Sequence, residues 1–393
     1  MAQANDTTPP TGHATHAGID LLVIQPTPFC NLDCGYCYLP NRDDRRRMSL
    51  DTVKRVFQRV FESSLARPGF TIVWHAREPM VLPTSYYRQA LSIIESLRPA
   101  DVHIQHSIQT NGTLITDEWC SLLGEFKVGI GLSIDGPAFL HDKRRRTRSG
   151  EATHARTMKG LDRIQKHSLP FHVITVLTRA SLGQADALYD FYRENSITQI
   201  GFNIEEIEAE NSKSSLASPK TREEIRVFLL RFLERMRRGY AIMDIREFRE
   251  ALWCIRNPIA TDAANSQATP FKIINVDCEG NVGTFSPELL GTSSARLGPF
   301  FFGNIWRDSL DDIRRGARFA TIAEEVKRGV DKCRRECSYF DVCGGGAPAN
   351  KFFELGRFDV TETMFCRLSR QAVIDVVLDD LEATLAETSR AVC

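Results

Sequence analysis

The stretch that most constrains this chain is Pro28–Cys37, which directly follows the apolar segment Leu21–Ile24. Its three cysteines, Cys30, Cys34 and Cys37, stand at C-x3-C-x2-C spacing. Three thiolates on one short loop can hold three irons of a [4Fe–4S] cluster and leave the fourth iron without a protein ligand. An open position of that kind is where a substrate or cofactor binds at a catalytic metal site. A structural zinc ion is the alternative, but zinc normally takes four ligands and the sequence offers no fourth nearby, so the spacing favours iron and sulfur.

Length and composition are those of an ordinary globular protein. With 393 residues the chain suits two domains, or one large and one small. Lys+Arg and Asp+Glu are both 50, so no overall charge favours nucleic acid or a membrane surface as a partner. No apolar run approaches the ~18 residues that a membrane-spanning helix needs.

The compartment is predicted from the first residues and from the cysteines. Residues 1–18 are rich in Thr, Pro, His and Ala and lack the apolar core of a secretory signal, so we expect a disordered tail there. The 11 cysteines cluster at metal-ligand spacings in a long chain. Such spacing predicts reduced thiols in a cytoplasmic protein rather than a disulfide framework.

Apolar runs alternate with helical patterns from Ile19 to about Ile207, which predicts an α/β fold with a parallel sheet, as an open or closed barrel. Ser49 and Thr116 are predicted N-caps of two of the helices. The predicted strands are Leu21–Gln25, Phe70–His75, His103–Gln109, Val128–Ser133, Phe171–Leu177 and Ile200–Ile204. The predicted helices between them are Leu50–Ser63, Ser85–Leu97, Asp117–Leu123, His154–Lys166 and Gln184–Glu194.

Polar residues follow the strands at the edge where barrels of this kind carry their chemistry. The second strand leads into His75–Pro79, the third into Gln109–Thr113 and the fourth into Ser133–Pro137. Asn, Ser and Asp at strand ends are often loop formers whose side chains bond to their own backbone. Four such loops in this order, counting the cysteine loop, favour a binding site instead.

The motif C-x3-C-x-Tyr-C after a first strand resembles the signature of radical S-adenosylmethionine (SAM) enzymes. The resemblance implies a partial TIM barrel of the (β/α)6 type. It also implies that the open iron is chelated by the amino and carboxylate groups of SAM. Reduction of the cluster then cleaves SAM to methionine and a 5′-deoxyadenosyl radical, which takes a hydrogen atom from the substrate.

The same resemblance implies which residues contact SAM. Glu78 and Pro79 match the family's Gly-Gly-Glu-Pro motif, and Ala76 is a small replacement for its first glycine. Arg77 departs from the motif, so either the backbone takes ordinary angles there, or SAM binding is altered, or the chain is a damaged relative. The implied contacts are Tyr36, Glu78, Asn111, Ser133, Asp135 and Arg145.

The second half of the chain begins after a polar loop, Glu205–Ser218, and an amphipathic helix, Thr221–Arg238. We predict a barrel domain over residues 19–238, a bridging segment over 239–270 and a smaller α+β domain over 271–393. The last domain is predicted to open with a β-hairpin that turns at Gly280-Asn281.

Four more cysteines form a second candidate metal site. Cys333, Cys337 and Cys343 are followed by three glycines and then by Cys366, which makes a complete ligand set for a cluster. Zinc bound by four thiolates is the alternative. The catalytic cysteine motif earlier in the chain favours iron.

This half resembles the SPASM extension of radical SAM enzymes that modify ribosomally made peptides. The full pattern has seven cysteines for two auxiliary clusters, whereas Phe285 and Ala347 stand where two of them are expected. Cys254 and Cys278 remain without their expected partners. The resemblance therefore implies one auxiliary cluster of the [4Fe–4S] type, bound by Cys333, Cys337, Cys343 and Cys366.

Within that group the chain resembles the enzymes that form three-residue cyclophanes in glycine-rich precursor peptides. The implied reaction removes a β-hydrogen from a peptide residue and couples the carbon radical to the ring of an aromatic residue two positions earlier. The implied partners are a precursor peptide and an external electron donor. The stretches that carry the resemblance are Ile24–Thr27, Tyr38–Arg42, Trp74–Ala76, Asp277–Asn281, Phe285–Leu289 and Gly344–Pro348.

Two other functions remain open from the sequence. An anaerobic sulfatase maturase would oxidise Cys or Ser to formylglycine, but its acid beside the hairpin cysteine is displaced here to Glu288. A non-catalytic cluster protein that binds a peptide is favoured only by Arg77. No residue is assigned as the catalytic base. The run Arg45–Arg47 is most simply a solvated face, with docking of an acidic peptide as the alternative.

Overall fold

The computed structural model describes residues 18–239, 242–257 and 265–392. The predicted tail, except for Gly18, lies outside these ranges, as does part of the predicted bridging segment. No helix of the described residues is long and apolar enough to cross a bilayer.

The first half contains the predicted alternation of strands and helices, and each strand end lies within one residue of its prediction. The strands are β1 Leu21–Ile24, β2 Gly69–Trp74, β3 His103–Thr110, β4 Gly129–Ser133, β5 Phe171–Leu177, β6 Gln199–Ile204 and β7 Asp244–Ile245. The helices are α1 Leu50–Glu62, α2 Thr84–Leu97, α3 Asp117–Glu125, α4 Ala138–Arg144, α5 His154–Lys166, α6 Ala185–Glu194, α7 Thr221–Arg238 and α8 Arg246–Arg256.

Local signals place two of these helices. The side chain of Ser49 accepts a hydrogen bond from Thr52 N, and the side chain of Thr116 accepts one from Trp119 N. Both N-cap predictions are confirmed, because each hydroxyl satisfies a backbone donor that the first turn leaves unpaired.

The second half contains short strands and longer helices. Its strands are β8 Ile273–Val276, β9 Asn281–Thr284, β10 Ser293–Ser294, β11 Gly298–Pro299 and β12 Gly303–Asn304. Its helices are α9 Leu310–Arg315, α10 Ala317–Glu336, α11 Phe340–Cys343, α12 Pro348–Leu355 and α13 Ala372–Val392, with a π-helical turn at Cys366–Gln371 before the last.

One sheet connects the two halves. Its strand order is β12-β9-β8-β1-β2-β3-β4-β5-β6-β7, and the strands from β8 through β1 to β7 pair in parallel. The carboxyl ends of β1 to β6 therefore lie along one edge, where the cysteine loop and the polar loops follow them. The pairing of β8 with β1 attaches the second half directly to the strand that precedes the cysteine loop.

The hairpin turn lies earlier than its prediction. Asn281 is the first residue of β9, and the turn covers 277–280. The carboxylate of Asp277 accepts hydrogen bonds from Glu279 N at 2.9 Å and from Asn281 N at 3.0 Å. An Asp that bonds to the backbone in this way starts a turn at its own position, and the left-handed φ of 82° falls on Gly280.

A single hydrophobic core extends through both halves. It joins residues of the parallel strands, such as Ile24 and Trp74, to residues of the later helices, such as Phe319 and Val376. The second half therefore packs onto the first as part of one structure and does not form a separate core.

Candidate cofactor sites at the two cysteine regions

The cysteine loop leaves the carboxyl end of β1 and holds its three thiols close together. Cys30, Cys34 and Cys37 are each half-buried. Burial raises the pKa of Cys30 to about 12, and the neighbouring Cys34 and Cys37 raise it further. Burial also raises the pKa of Cys34 to about 12, against the lowering effect of Arg145. These groups are neutral thiols on their own, and binding to a metal is what removes their protons.

Two neighbouring segments fix the backbone of this loop. Cys30 N donates to Arg42 O at 3.2 Å on one side. On the other side, Asp33 N donates to Arg146 O at 2.8 Å and Gly35 N to Arg144 O at 2.8 Å. The loop is therefore held in place by backbone contacts that leave its three thiols free of this task.

Three of the predicted SAM contacts form one buried polar group beside the loop. The hydroxyl of Tyr36 donates to the carboxylate of Asp135 at 2.5 Å. Arg145 donates from Nη2 to Asp135 Oδ1 at 3.1 Å, and its Nε lies 3.0 Å from Oδ2. Burial alone would lower the pKa of Arg145, but Asp135 and Tyr36 outweigh it and raise that pKa. This group joins the cysteine loop to the end of β4.

Glu78 and Asn111 form a second buried group at the ends of β2 and β3. The Glu78 carboxylate is 0% exposed and accepts hydrogen bonds from Asn111 N at 2.7 Å, Thr110 Oγ1 at 2.8 Å and Met80 N at 3.0 Å. Burial raises its pKa to about 7, although these three donors lower it. The side chain of Asn111 donates to Asn31 Oδ1 at 2.8 Å, which ties this group to the cysteine loop.

Ser133, the sixth predicted contact, accepts a hydrogen bond from Gln109 Nε2 at 3.0 Å. All six predicted residues thus lie on loops or strand ends at one edge of the sheet, next to the cysteine loop. Their contact with SAM remains a prediction.

The backbone at the two motif positions that lack glycine has an unusual conformation. Ala76 has a φ of 65° and Arg77 a φ of 66°, both in the left-handed region. Ordinary angles at Arg77, one of the readings from sequence, are therefore wrong: the chain keeps a glycine-like path without glycine. The guanidinium of Arg77 donates from Nη2 to Pro40 O at 2.6 Å and from Nε at 3.2 Å. This pair of bonds to a carbonyl offsets part of the strain, which costs on the order of 1–3 kcal/mol.

The four later cysteines also come together, although they lie on three different elements. Cys333 is on α10 and Cys343 ends α11, while Cys366 begins the π-helical turn. Burial raises the pKa of Cys343 to about 11, and the nearby Cys366 and Cys333 raise it further. Cys337 contributes in the same way to the raised pKa of Cys333.

Three glycines allow the backbone to approach the thiols of this second cysteine region closely. Gly344, Gly345 and Gly346 have φ values of 67°, 101° and 73°, which few other residues adopt. A Cβ on Gly346 would lie 3.3 Å from Cys366 Sγ. The glycine run predicted from sequence to permit close packing therefore does so here.

A buried lysine gives an independent test of whether this site suits an anionic cluster. Lys351 is 2% exposed, and its ammonium donates to Gly329 O at 3.2 Å and to Cys333 Sγ at 3.3 Å. The described contacts of this ammonium include no carboxylate. Because a buried cation needs a compensating negative charge, thiolates around a cluster are the partners that suit it.

The side chains at the two cysteine regions can be compared with what a single zinc ion requires. Within the described ranges, no three or more His, Cys, Asp or Glu side chains are drawn together tightly enough to hold one metal ion. A tetrahedral zinc needs such convergence, whereas the thiolates of a cluster surround a core of several atoms.

The remaining described cysteines lie apart from these sets. Cys120 is buried in α3, as expected of a small apolar residue. Cys254 is buried in α8. Cys278 is half-buried in the hairpin turn, and burial raises its pKa to about 11.

A cavity of about 450 Å³ lies between the end of β6, the hairpin and the second cysteine site. Its wall includes Glu206, Glu208, Glu288, Asn350 and Cys343. Burial raises the pKa of Glu206 to about 7, and that of Glu208 rises because of burial and the adjacent Glu206. The sequence reading treated the segment that holds the first two as a plain polar loop. Three glutamates within four residues, at 205, 206 and 208, were the signal available there.

Glu288 lies on the same wall but contacts the cysteine loop. It accepts a hydrogen bond from Tyr38 Oη at 3.3 Å, and Ser286 also donates to it. Tyr38 is the residue after Cys37. Through this hydrogen bond, the wall of the cavity is linked to the residue that follows the cysteine loop.

Comparison with known proteins agrees with this arrangement. The family model of the Radical SAM superfamily matches residues 24–192. The chain is 41% identical over 373 residues to an uncharacterised protein of Synechocystis sp., and the match covers 93% of each chain. It is 24% identical over 368 residues to the serine-type anaerobic sulfatase-maturating enzyme of Bacteroides thetaiotaomicron, covering 87% of this chain and 86% of that one.

Two solved structures share the fold along most of the chain. Native anSMEcpe with bound AdoMet and Cp18Cys peptide superposes with a TM-score of 0.77 at 19% identity, covering 94% of this chain and 99% of that one. SuiB of Streptococcus suis bound to precursor peptide SuiA superposes with a TM-score of 0.63 at 18% identity, covering 89% and 76%. The predicted fold class, a partial barrel followed by a smaller auxiliary domain, is confirmed.

Proposed function

Since this chain belongs to the radical SAM superfamily, we propose that it crosslinks a ribosomally made precursor peptide through a carbon–carbon bond, forming a three-residue cyclophane. It is a radical SAM enzyme, and its cofactors are SAM and [4Fe–4S] clusters. The bound cofactors supply a 5′-deoxyadenosyl radical. The proposal concerns the substrate and what the chain's own residues do with it.

The observation that carries the proposal is the cavity beside the second cysteine region, whose wall is linked to the first region through Glu288. A volume of about 450 Å³ accommodates several side chains of an extended peptide. One end of its wall is Glu288, which bonds to Tyr38 of the first region, and Cys343 of the second region lies on the same wall. A peptide bound there would lie between the source of the radical and a second cluster. The peptides in the anSMEcpe and SuiB structures support the choice of a peptide substrate.

The proposed reaction balances as follows. One hydrogen atom leaves the β-carbon of a peptide residue and ends in 5′-deoxyadenosine. The carbon radical forms a bond to the ring of an aromatic residue two positions earlier. The ring then loses one proton and one electron, and the auxiliary cluster is the proposed acceptor of that electron. An external electron donor completes the set of proposed partners.

The cavity offers acceptors for the proton. Burial raises the pKa of Glu206 to about 7, so its carboxylate can take up a proton near neutral pH. Asn350 donates to Glu206 Oε2 at 2.6 Å and to Glu208 Oε1 at 3.2 Å, which orients both carboxylates on the wall. We therefore propose this pair as the proton acceptor.

Oxidation of Cys or Ser to formylglycine is the second candidate, because the Bacteroides relative is a serine-type anaerobic sulfatase-maturating enzyme that matches most of the chain. Phe285 weighs against it. This residue stands where the pattern has a hairpin cysteine, and it is fully buried in the core. The acid at Glu288 is also displaced from the position next to that residue.

Two synthetic peptides separate the candidates. The first contains aromatic residues followed two positions later by a residue with a β-CH2 group and contains neither Ser nor Cys. The second contains Ser and Cys but no aromatic residue. Anaerobically reconstituted enzyme with SAM and a reductant should convert the first peptide to a product that lacks two hydrogen atoms, with an equal amount of 5′-deoxyadenosine. Conversion of the second peptide alone would establish formylglycine formation and end the cyclophane proposal.

A variant tests the third reading, a protein that binds a peptide without cleaving SAM. If the Arg77 side chain blocks SAM, Arg77→Gly should form 5′-deoxyadenosine where the parent enzyme does not. We expect the parent enzyme to form it, because the backbone at Arg77 keeps its left-handed path and the guanidinium is turned towards Pro40.

A further inference from the structure

Apart from Arg46, which pairs with Asp44 and Glu279, five exposed cationic residues lie on the two segments that contact the cysteine loop. They belong to two separate segments, and we call them the basic collar: Arg45, Arg47, Lys143, Arg146 and Arg148. Because the whole chain has a formal net charge of +0, this local excess is not a consequence of composition.

The two segments of the collar hold the loop between them. Arg148 donates from Nη1 to Cys30 O at 3.3 Å, and Leu32 forms an antiparallel bridge with Thr147. The ring of Phe29 joins the segments, because the guanidinium of Arg45 lies 4.6 Å and that of Arg148 6.0 Å from its centre. Arg45 and Arg148 therefore meet beside the loop, and the other three members of the collar lie within two to five residues of them in sequence.

Most of this positive charge is not neutralised locally. Arg148 pairs with Asp43. The other acids nearby are occupied, since Asp33 pairs with Arg42 and Asp44 with Arg46. Among the ion pairs of the described residues, none includes the other four members of the collar.

We propose that the basic collar is the docking surface for an acidic one-electron carrier protein. The proposal rests on the proposed function, because radical chemistry at this loop needs an electron from outside. The carrier is oxidised by one electron and the cluster at the cysteine loop is reduced by one, with no group or proton transferred. Electron transfer weakens steeply with distance, and Gly35 of the loop is itself exposed within the collar.

The position of the collar favours a carrier over an acidic substrate peptide. No member of the collar lines the 450 Å³ cavity or the smaller cavity of about 280 Å³ beside Arg77. A surface of one sign accelerates encounter with a partner of the opposite sign, and salt weakens this effect. Both the rate of encounter and its dependence on salt can be measured.

The test compares two reductants of opposite charge on the reconstituted holoenzyme, without peptide, by the bleaching of the cluster absorbance. The first is a reduced acidic flavodoxin and the second is the small cation, reduced methyl viologen. The variant is Arg45→Ser with Arg47→Ser and Arg146→Ser. The matched control is Arg193→Ser with Arg238→Ser and Arg315→Ser, exposed arginines elsewhere on the surface.

We expect the collar variant to lower the second-order rate constant with flavodoxin at least tenfold and to flatten its dependence on salt. The rate with methyl viologen should stay the same or rise, and the control variant should match the parent. Replacement of the three arginines by lysine should restore most of the flavodoxin rate.

An unchanged flavodoxin rate would overturn the proposal. A parallel fall with methyl viologen would overturn it too, because it would show damage to the loop. Loss of affinity for an acidic peptide, with reduction unchanged, would assign the surface to a peptide instead. Because these rates need no peptide product, failure of the cyclophane proposal leaves the result intact, and the reverse also holds.

Discussion

The two cysteine regions place opposite charges in buried positions next to similar ligands. Beside the first, the carboxylate of Glu78 is 0% exposed and bonds only to neutral donors. Beside the second, the ammonium of Lys351 is 2% exposed and bonds to a carbonyl and a thiol. Each charge is costly to bury alone. Each is the complement of what the site is expected to receive: SAM carries a positive sulfonium and ammonium, and a thiolate-bound cluster is negative.

The regions also differ in their access to the surface. The three thiols of the first are half-buried on a loop next to exposed arginines, whereas in the second Cys333 and Cys366 are buried and Cys337 and Cys343 are half-buried. This difference agrees with the proposal that electrons enter at the first region. Variants at both regions test that contrast.

The largest effect is expected from removing ligands. Cys30→Ala with Cys34→Ala and Cys37→Ala should abolish 5′-deoxyadenosine formation and lower the iron content from about eight to about four atoms per chain. Iron analysis and chromatography of the reaction measure both quantities. Residual 5′-deoxyadenosine would show that another site cleaves SAM.

The matched variant for the second region is Cys343→Ala with Cys366→Ala. It should lose the same amount of iron but still form 5′-deoxyadenosine, while peptide product is lost. If both variants behave alike, the contrast between the two regions is wrong.

A smaller effect is expected from Glu78→Gln, which should change how the stability of the protein depends on pH. Burial raises the pKa of Glu78 from 4.5 to about 7 in the folded chain, so the folded state holds the proton more tightly. Its contribution to stability is complete below pH 4.5 and is lost as the pH rises to about 7, in total roughly 3 kcal/mol.

The measurement is the difference in apparent Tm between the parent protein and Glu78→Gln from pH 5 to pH 7.5. The parent should lose stability relative to the variant over this range. A constant difference would show that the carboxylate is already ionised at pH 5, held by its three donors.

Lys351→Met is expected to lower the reduction potential of the auxiliary cluster by roughly 60 mV, about a tenfold change in a one-electron equilibrium. Removal of a nearby cation makes the added electron less stable. Potentiometric titration followed by electron paramagnetic resonance measures both clusters, and the potential at the cysteine loop should not move. Lys351→Arg keeps the charge and should stay close to the parent; an equal shift in both variants would assign the effect to packing.

The smallest effect is expected from Ala76→Gly. The methyl group of Ala76 is held at a φ of 65°, where glycine has no steric penalty, so the substitution should stabilise the protein by about 1 kcal/mol. Thermal unfolding of the two proteins measures it. Gly35→Ala, at a glycine without a left-handed φ, is the control and should show no corresponding gain. A fall in Tm for Ala76→Gly would mean that the left-handed φ at Ala76 does not cost the protein stability.

Local patterns explain why so much of the first half was predictable. Alternating apolar residues marked the strands, and Ser49 and Thr116 marked helix starts, because caps act over three or four residues. The choice of Tyr36, Asp135 and Arg145 came from the family resemblance, and the rule that parallel strands end at one edge explains why their loops meet. These signals lie within short windows of sequence.

Other features left no such signal. The pairing of β8 with β1 joins residues about 250 positions apart, for example Leu21 with Ile273, and no local pattern specifies it. The left-handed backbone at Arg77 contradicts residue preference and results from its surroundings. The burial of Lys351 depends on helices that are distant in sequence, and long-range packing overrides the usual preference of lysine for solvent.

The pairing of β8 with β1 has a consequence for how this protein can be divided. A fragment that ends near residue 238 would keep the pairing of β1 with β2 but would expose the other edge of β1, whose unpaired backbone groups are a ready template for aggregation. The hairpin therefore has a role as covering strand whether or not it carries cysteines. Phe285 and Ala347 fit this view: thiols can be exchanged for packing residues one at a time, while the strand that protects β1 has to stay.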